Sequence, residues 1–173
     1  MKILLIIIWI LILSWCNSTD NLFVSNNVSQ IEKIVEWDSM EPLIEDGSGV
    51  LFSSWFYDDE KKNDVKLWDI VLYDFKGEEH AIIKSVVARD SDNIEFKNNS
   101  LFVNKKEVKN SEWKSYNFSQ AERRVMKLYI NKEWKIPKNS VFILWDNVKN
   151  SRDSRKFGAV SMNDILWKVN LKK

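Results

Sequence analysis

The chain of 173 residues has very little cysteine, histidine or net charge, and each shortage argues against a class of protein. One Cys and one His cannot build a disulfide framework or a zinc site, so we predict no metal and no cofactor. The 26 basic and 25 acidic residues nearly cancel, which gives no electrostatic reason to predict a nucleic-acid partner. A chain of this length is expected to form one domain.

Glycine is also scarce, whereas tryptophan is unusually abundant. The chain has 4 Gly and 9 Trp, together 13. An average protein has roughly 7% Gly, or about 12 residues at this length. The combined count matches the usual glycine content, which raises the hypothesis that some tryptophans stand at glycine positions.

The long apolar segment lies at the N-terminus and is too short for an ordinary membrane span. It runs from Ile3 to Cys16 after one cation, Lys2. Fourteen helical residues span about 21 Å, less than the roughly 30 Å hydrocarbon core of a bilayer. The segment is therefore interpreted either as the apolar region of a cleaved signal peptide or as a short retained anchor.

The rest of the chain shows short runs rich in Val, Ile, Phe and Tyr, separated by polar turns. This spacing predicts a mostly antiparallel β fold. Asn98 and Asn99 predict a hairpin turn. One short helix is predicted from Ser119, with Glu122 as its capping-box partner.

Ser39, in "EWDSMEPLIEDG" at 36–47, is a candidate nucleophile that needs a base. A Ser-His-Asp triad would have to use His80, and no G-x-S-x-G elbow is present. We interpret His80 as a surface residue at a strand end. A lysine can act as the base if burial lowers its pKa, and Lys84 lies in the apolar run "HAIIKSVVA". From these residues alone, an ordinary turn serine and a surface lysine stay open as alternatives.

Four stretches resemble the sequence boxes of type I signal peptidases and come in the same order. They are "DSMEPLI" at 38–44, "WDIVLYDF" at 68–75, "IIKSVVA" at 82–88 and "VFILWDNVKNSRDSRKFGAV" at 141–160. The resemblance implies a serine endopeptidase with a Ser/Lys dyad, in which Ser39 is the nucleophile and Lys84 the neutral general base. An activity optimum on the alkaline side is then expected.

The same resemblance implies roles for residues around the dyad. Ser151 matches the serine that orients the lysine, and Asp153 and Arg155 match an ion pair that braces the site. Asp146 matches the acidic position at the start of the last box. Two further residues, next to or near Ser39, are assigned to substrate binding: Met40 and Pro42.

The implied fold is a mostly β protein: an antiparallel β catalytic body with a short inserted β region, preceded by one N-terminal transmembrane helix. We predict a membrane anchor or signal segment at 1–19, a linker at 20–34 and a catalytic domain at 35–173, with the insert at 89–140. The predicted partners are signal peptides of exported preproteins and the lipid bilayer. The predicted location is the cell membrane, with a single span and the catalytic domain on the extracytoplasmic side.

Four tryptophans stand where the resemblance expects glycine, or serine or glycine in the first case: Trp37, Trp68, Trp145 and Trp167. The largest side chain is the worst substitute where glycine supplies a positive φ or a close backbone approach. Our hypothesis is that UGA codons meant as glycine have been read as tryptophan. Applied to "LSWC" at 13–16, the same reading creates a lipobox-like sequence with Cys16 as a lipidation site. With tryptophan at 15, the bulky residue before Cys16 argues against lipidation, and a retained anchor is favoured.

Two other functions fit parts of the pattern. A specialised Ser/Lys processing peptidase of a pilus or conjugation system would suit the short insert. A non-catalytic membrane-tethered β module would have been expected to lose at least one of the five matched residues, yet the chain keeps them all: Ser39, Lys84, Ser151, Asp153 and Arg155.

Overall fold

The described part of the chain forms two antiparallel β-sheets and two α-helices. The computed structural model describes residues 30–36, 38–53, 65–76, 81–130, 133–148 and 152–172. The predicted segment 1–19 with Cys16, most of the linker, and His80 lie outside these ranges. Within them, no helix is both long enough and apolar enough to cross a membrane. The mostly β prediction is confirmed, whereas the predicted transmembrane helix falls on residues that the structure does not describe.

The larger sheet has seven strands in the order β1-β2-β10-β3-β4-β8-β9. All of its neighbouring strands are antiparallel. Its strands are β1 (Gln30–Ile34), β2 (Gly49–Ser53), β3 (Ile70–Tyr73), β4 (Ile82–Arg89), β8 (Ser140–Leu144), β9 (Val160–Ser161) and β10 (Ile165–Leu171).

The smaller elements lie between and beside these strands. Three strands form the second sheet: β5 (Ile94–Lys97), β6 (Ser100–Val103) and β7 (Lys106–Glu107). The α-helices are α1 (Gln120–Tyr129) and α2 (Ser154–Phe157). Two 3-10 helices span Asp38–Met40 and Met162–Asp164.

Local signals predicted two of these elements correctly. Asn98 and Asn99, with φ of 50° and 72°, form the turn between β5 and β6. Asparagine tolerates this left-handed backbone better than most residues. Helix α1 begins after Ser119, whose side chain accepts from the Glu122 N–H while the Glu122 carboxylate accepts from the Ser119 N–H.

The predicted linker 20–34 is too long at its C-terminal end. Residues 30–34 form β1 instead, which pairs with β2 from Gln30↔Ser53 to Ile34↔Gly49. All five residues of β1 are exposed. A half-buried strand is identified by alternating apolar residues, and this pattern is weak in β1. Its extended structure comes from backbone pairing with β2.

Strands β4 and β8 are buried on both faces. One of these faces packs against the predicted insert, so the insert and the catalytic body are joined through these two strands. Val86 and Ile143 pack into one apolar cluster, whereas Phe142 and Leu144 pack into another. The second cluster is completed by residues from the 89–140 region: Ile94, Leu101, Val103, Val108, Tyr116, Phe118, Met126, Ile130 and Ile136. The insert thus shares a core with the main sheet.

Candidate active site

Lys84 lies in the middle of β4 and is 0% exposed. Its backbone pairs with Val71 of β3, and the next residue, Ser85, pairs with Leu144 of β8. Its amine donates to the Ile83 carbonyl at 2.7 Å and lies 4.2 Å from the centroid of the Trp145 ring. The burial that a lysine base requires is therefore present at Lys84.

Burial lowers the pKa of Lys84 from 10.5 to about 6. The cause is the loss of hydration, which penalises the charged ammonium. The negative charge of Asp153 acts in the opposite direction and raises the pKa, but by less. The amine is therefore largely neutral at pH 7 and can accept a proton.

Ser39 is the middle residue of the 3-10 helix Asp38–Met40, and this helix lies against β4. The backbone thus brings the serine's helix to the strand that carries Lys84, although 45 residues of sequence separate the two positions. The Glu41 N–H donates to the Asp38 carbonyl at 3.0 Å, and the Ile44 N–H donates to the Met40 carbonyl at 2.9 Å. These bonds hold the segment in a tight turn.

The predicted substrate-binding role of Met40 needs correction. Met40 is 0% exposed and packs with Ile44, Val50 and Val169 in a core cluster. Because its side chain has no free surface, it anchors the Ser39 helix from below and does not line a substrate groove. Pro42 is exposed, so its proposed role in substrate binding stays a prediction.

Asp153 and Arg155 form the ion pair that the resemblance implies. The guanidinium donates from Nε and Nη2 to the carboxylate, at 3.0 Å to Oδ1 and 2.9 Å to Oδ2. Asp153 is 0% exposed, and Arg155 also donates to the Val148 carbonyl at 3.0 Å. Asp153 additionally caps α2 by accepting from the Arg155 N–H at 3.0 Å. Ser151, the predicted orienter of Lys84, lies outside the described ranges.

Asp146 connects the insert to the end of β8. Its carboxylate accepts from the Ser111 N–H at 2.9 Å and from the Ser111 hydroxyl. Its carbonyl accepts from the Asn110 side chain at 3.0 Å. These contacts give Asp146 a structural role at the junction of insert and body.

Two further residues brace the site and were not predicted from the sequence. The buried Ser154 hydroxyl accepts from the Ile143 N–H at 2.9 Å and ties α2 to β8. The Tyr116 hydroxyl donates to the Trp145 carbonyl at 2.7 Å. Ser154 lies inside the "NSRDSR" box and could have been noticed there, whereas nothing local marks Tyr116.

A cavity of about 640 Å³ opens between β5 and α1, and it contains none of the predicted site residues. Its lining is basic and aromatic: Ile94, Glu95, Phe96, Gln120, Arg123, Arg124, Lys127 and Trp134. The cavity is therefore separate from the chemistry around Lys84.

Comparisons with known proteins agree with the resemblance. The family model described as signal peptidase, peptidase S26, matches residues 2–172. The signal peptidase I of Bacillus caldolyticus is 30% identical over 159 residues, covering 90% of this chain and 82% of that protein. Signal peptidase I V of Bacillus subtilis (strain 168) is 30% identical over 145 residues, covering 81% of this chain and 83% of that protein.

Among solved structures, a signal peptidase I from Enterococcus faecalis V583 is similar, with a TM-score of 0.45 and 19% identity. The match covers 61% of this chain and 97% of that one. The family assignment rests on the sequence matches, which extend over most of the chain. The chain belongs to the signal peptidase family, peptidase S26, and is a serine endopeptidase.

Proposed function

We propose that this enzyme is membrane-bound and removes N-terminal signal peptides from exported preproteins, with Ser39 as nucleophile and Lys84 as general base. The single observation that carries the proposal is the buried amine of Lys84, whose pKa is lowered to about 6. A lysine that is neutral at physiological pH is unusual, and it is what a serine nucleophile without histidine requires.

The proposed chemistry is acyl transfer in two stages. The Ser39 hydroxyl attacks the scissile carbonyl while the Lys84 amine takes its proton. When the tetrahedral intermediate collapses, the lysine ammonium gives that proton to the leaving amine of the mature protein. Water then hydrolyses the acyl-enzyme, again with Lys84 as the base, and backbone N–H groups near Ser39 stabilise the oxyanion.

Asp153 is proposed to act through charge and position. Its carboxylate forms an ion pair with Arg155 and accepts a hydrogen bond from the Trp145 N–H at 3.2 Å. Trp145 directly follows β8, and its ring lies beside the amine of Lys84. It also raises the pKa of Lys84 against the effect of burial. The pair therefore positions the wall of the site and keeps the lysine basic enough to accept a proton.

The substrate is proposed to bind as an extended peptide. The region around a signal-peptide cleavage site is extended and carries small side chains in an A-x-A-like pattern. Such a segment can add to a sheet edge through backbone hydrogen bonds, and shallow pockets then select the small residues.

The bilayer is proposed as the second partner, with the apolar segment at 1–19 as a single-span anchor and the catalytic domain on the extracytoplasmic side. Resistance to alkaline extraction from membranes, together with digestion by protease added from outside the cell, would support this arrangement. Release by alkaline washing would contradict it.

The function is tested with the purified full-length chain in detergent and a preprotein that carries an A-x-A cleavage site. We expect one cut directly after the second small residue, identified by N-terminal sequencing of the mature product. A matched preprotein with a bulky residue at that position should stay intact. Cleavage of both preproteins at many sites would refute specific signal-peptide processing.

The pH dependence of kcat/KM should reflect Lys84. Because the base works only when neutral, we expect kcat/KM to fall about tenfold per pH unit below about pH 6 and to level off above it. The sequence led us to expect an optimum on the alkaline side. The lowered pKa of Lys84 instead predicts that activity is lost only below about pH 6. Rates measured from pH 4.5 to 9 with one preprotein would check it, and a limb near pH 10 would contradict a buried neutral lysine.

A further inference from the structure

The indole of Trp145 covers the amine of Lys84. Trp145 directly follows β8, and its backbone is held at both ends: the N–H by Asp153 at 3.2 Å and the carbonyl by Tyr116 at 2.7 Å. Its ring lies over the lysine amine, 4.2 Å from the centroid. Among the described contacts, the buried indole N–H has no hydrogen-bond partner. The backbone of residue 145 is thus fixed by polar contacts, whereas the side chain leaves a buried donor unsatisfied and occupies the space beside the base.

Three other tryptophans have a left-handed backbone. Trp68, Trp113 and Trp134 have φ of 70°, 63° and 58°. Gly47 and Gly158, for comparison, have φ of 77° and 79°. Glycine adopts such angles without steric cost and asparagine tolerates them, but they are outliers for bulky residues. Of the five tryptophans in the described ranges, three therefore stand where the backbone favours glycine.

The surroundings of two of these tryptophans do not offset the strain. Trp68 is the third residue of a turn closed by the Asp69 N–H and the Lys66 carbonyl at 3.1 Å. A positive φ at that turn position is the usual place of glycine. Trp68 is 53% exposed and Trp113 is 80% exposed, so neither gains much from packing.

We propose that residues 68, 113, 134 and 145 are glycine in the functional enzyme, encoded by UGA codons that its lineage reads as glycine, and that residue 145 controls access to the Lys84 amine. Positions 113 and 134 come from the backbone alone, since the family resemblance points to neither. The claim that residue 145 controls access to the Lys84 amine rests on the proposed function. The claim that these four residues are glycine does not. Trp37 lies outside the described residues.

Trp167 provides a matched control. It has no positive φ, and its ring packs against Phe52 with centroids 6.2 Å apart. The resemblance places glycine at 167 as well, but without a positive φ the backbone there gives no reason to prefer it. Trp134 also contacts a ring, that of Phe96 at 5.8 Å, and differs from Trp167 in its φ of 58°.

The residue identities are tested on the enzyme purified from the organism that encodes it. Trypsin releases residues 67–76 and 139–149 as separate peptides, one with position 68 and one with position 145. We expect both peptide masses to correspond to glycine and the codons at all four positions to be UGA. Masses that correspond to tryptophan, or UGG codons, would overturn the proposal.

The backbone argument is tested by thermal unfolding of single variants of the full chain. Trp68→Gly and Trp113→Gly should each raise the midpoint by about 2–4 °C, because a strained left-handed residue is relieved. Trp167→Gly should lower the midpoint, because it removes an aromatic contact from a strand. A loss for Trp68→Gly and Trp113→Gly as large as that for Trp167→Gly would overturn the backbone argument.

Access to Lys84 is tested with Trp145→Gly and Trp145→Phe. We expect Trp145→Gly to speed acetylation of Lys84 by acetic anhydride, followed by mass spectrometry, and to raise kcat/KM about 10²-fold. Trp145→Phe keeps a ring over the amine and should resemble the parent in both measurements. Equal acetylation in all three chains would overturn the idea that residue 145 covers the amine.

The two proposals fail in different ways. If Lys84→Met, made together with Trp145→Gly, still cleaves preprotein, then the Ser/Lys dyad is wrong, whereas the acetylation result for residue 145 stands. If Trp145→Gly leaves acetylation unchanged but Lys84→Met abolishes cleavage, then the dyad stands and the control of access by residue 145 is wrong.

Discussion

Replacement of Lys84 by methionine is expected to lower kcat/KM for preprotein cleavage by about 10³-fold or more. Methionine is similar in length and fills the same buried space, but it cannot accept the Ser39 proton. Ser39→Ala should cause a loss of similar size, and the double variant should be little worse than either single one, because the two residues act as a unit. Initial rates with one preprotein measure all three effects.

The same Lys84→Met substitution should stabilise the fold near neutral pH. In the folded chain the pKa of Lys84 is about 6, whereas the unfolded lysine has its ordinary value of 10.5. Between these values the unfolded state binds one more proton. The free energy of unfolding of the parent therefore falls by about 1.4 kcal/mol per pH unit as the pH decreases from about 10 to 6.

Methionine has no proton to bind, so the variant should lose this slope and be more stable than the parent at pH 7. Urea unfolding at several pH values would measure both quantities. Lys97→Met serves as the control, since this exposed lysine lies on β5 and pairs with Glu95 at 3.6 Å. It should change activity little and stability by less than about 0.5 kcal/mol. Full activity in Lys84→Met, or an unchanged pH slope, would contradict the role of Lys84.

Asp153→Asn is expected to destabilise the fold by about 3–5 kcal/mol, because it leaves the charge of Arg155 buried without its partner. The side chains of Asp153 and Arg155 are 0% and 6% exposed. Asparagine keeps the volume and is a good helix N-cap, so the cap of α2 is retained and the loss reports the ion pair together with the bond from the Trp145 N–H. Denaturant unfolding at pH 7 measures the effect.

The matched control for this pair is the ion pair between Lys156 and Glu122, which are 3.1 Å apart and whose side chains are 58% and 17% exposed. Lys156→Met should cost less than about 1 kcal/mol, because solvent screens the pair. Asp153→Asn should also shift the acidic limb of the pH profile to lower pH, since Asp153 raises the pKa of Lys84. If Asp153→Asn cost as little stability as Lys156→Met, or if it moved the acidic limb of the pH profile to higher pH, the proposed role of Asp153 would be contradicted.

Much of the fold could be predicted because its signals are local. Asn98-Asn99 and the Ser119/Glu122 capping box act within a few residues, so hairpin and helix could be read directly. β1 was missed because its exposed side chains carry no clear pattern, and only its pairing with β2 identifies it. Met40 was assigned to substrate because it follows Ser39, although it points into the core.

The sequence by itself determined the strand and helix signals, the order of the boxes and the candidate dyad, because these depend on residue type and spacing. Tertiary structure decided the chemistry. The pKa of Lys84 depends on burial in the folded chain and on Asp153, 69 residues further along the chain. Asp146 meets Ser111 only because the insert packs against β8. The left-handed backbone at Trp68, Trp113 and Trp134 likewise follows from how turns close against their neighbours, and a count of residue types could only hint at it.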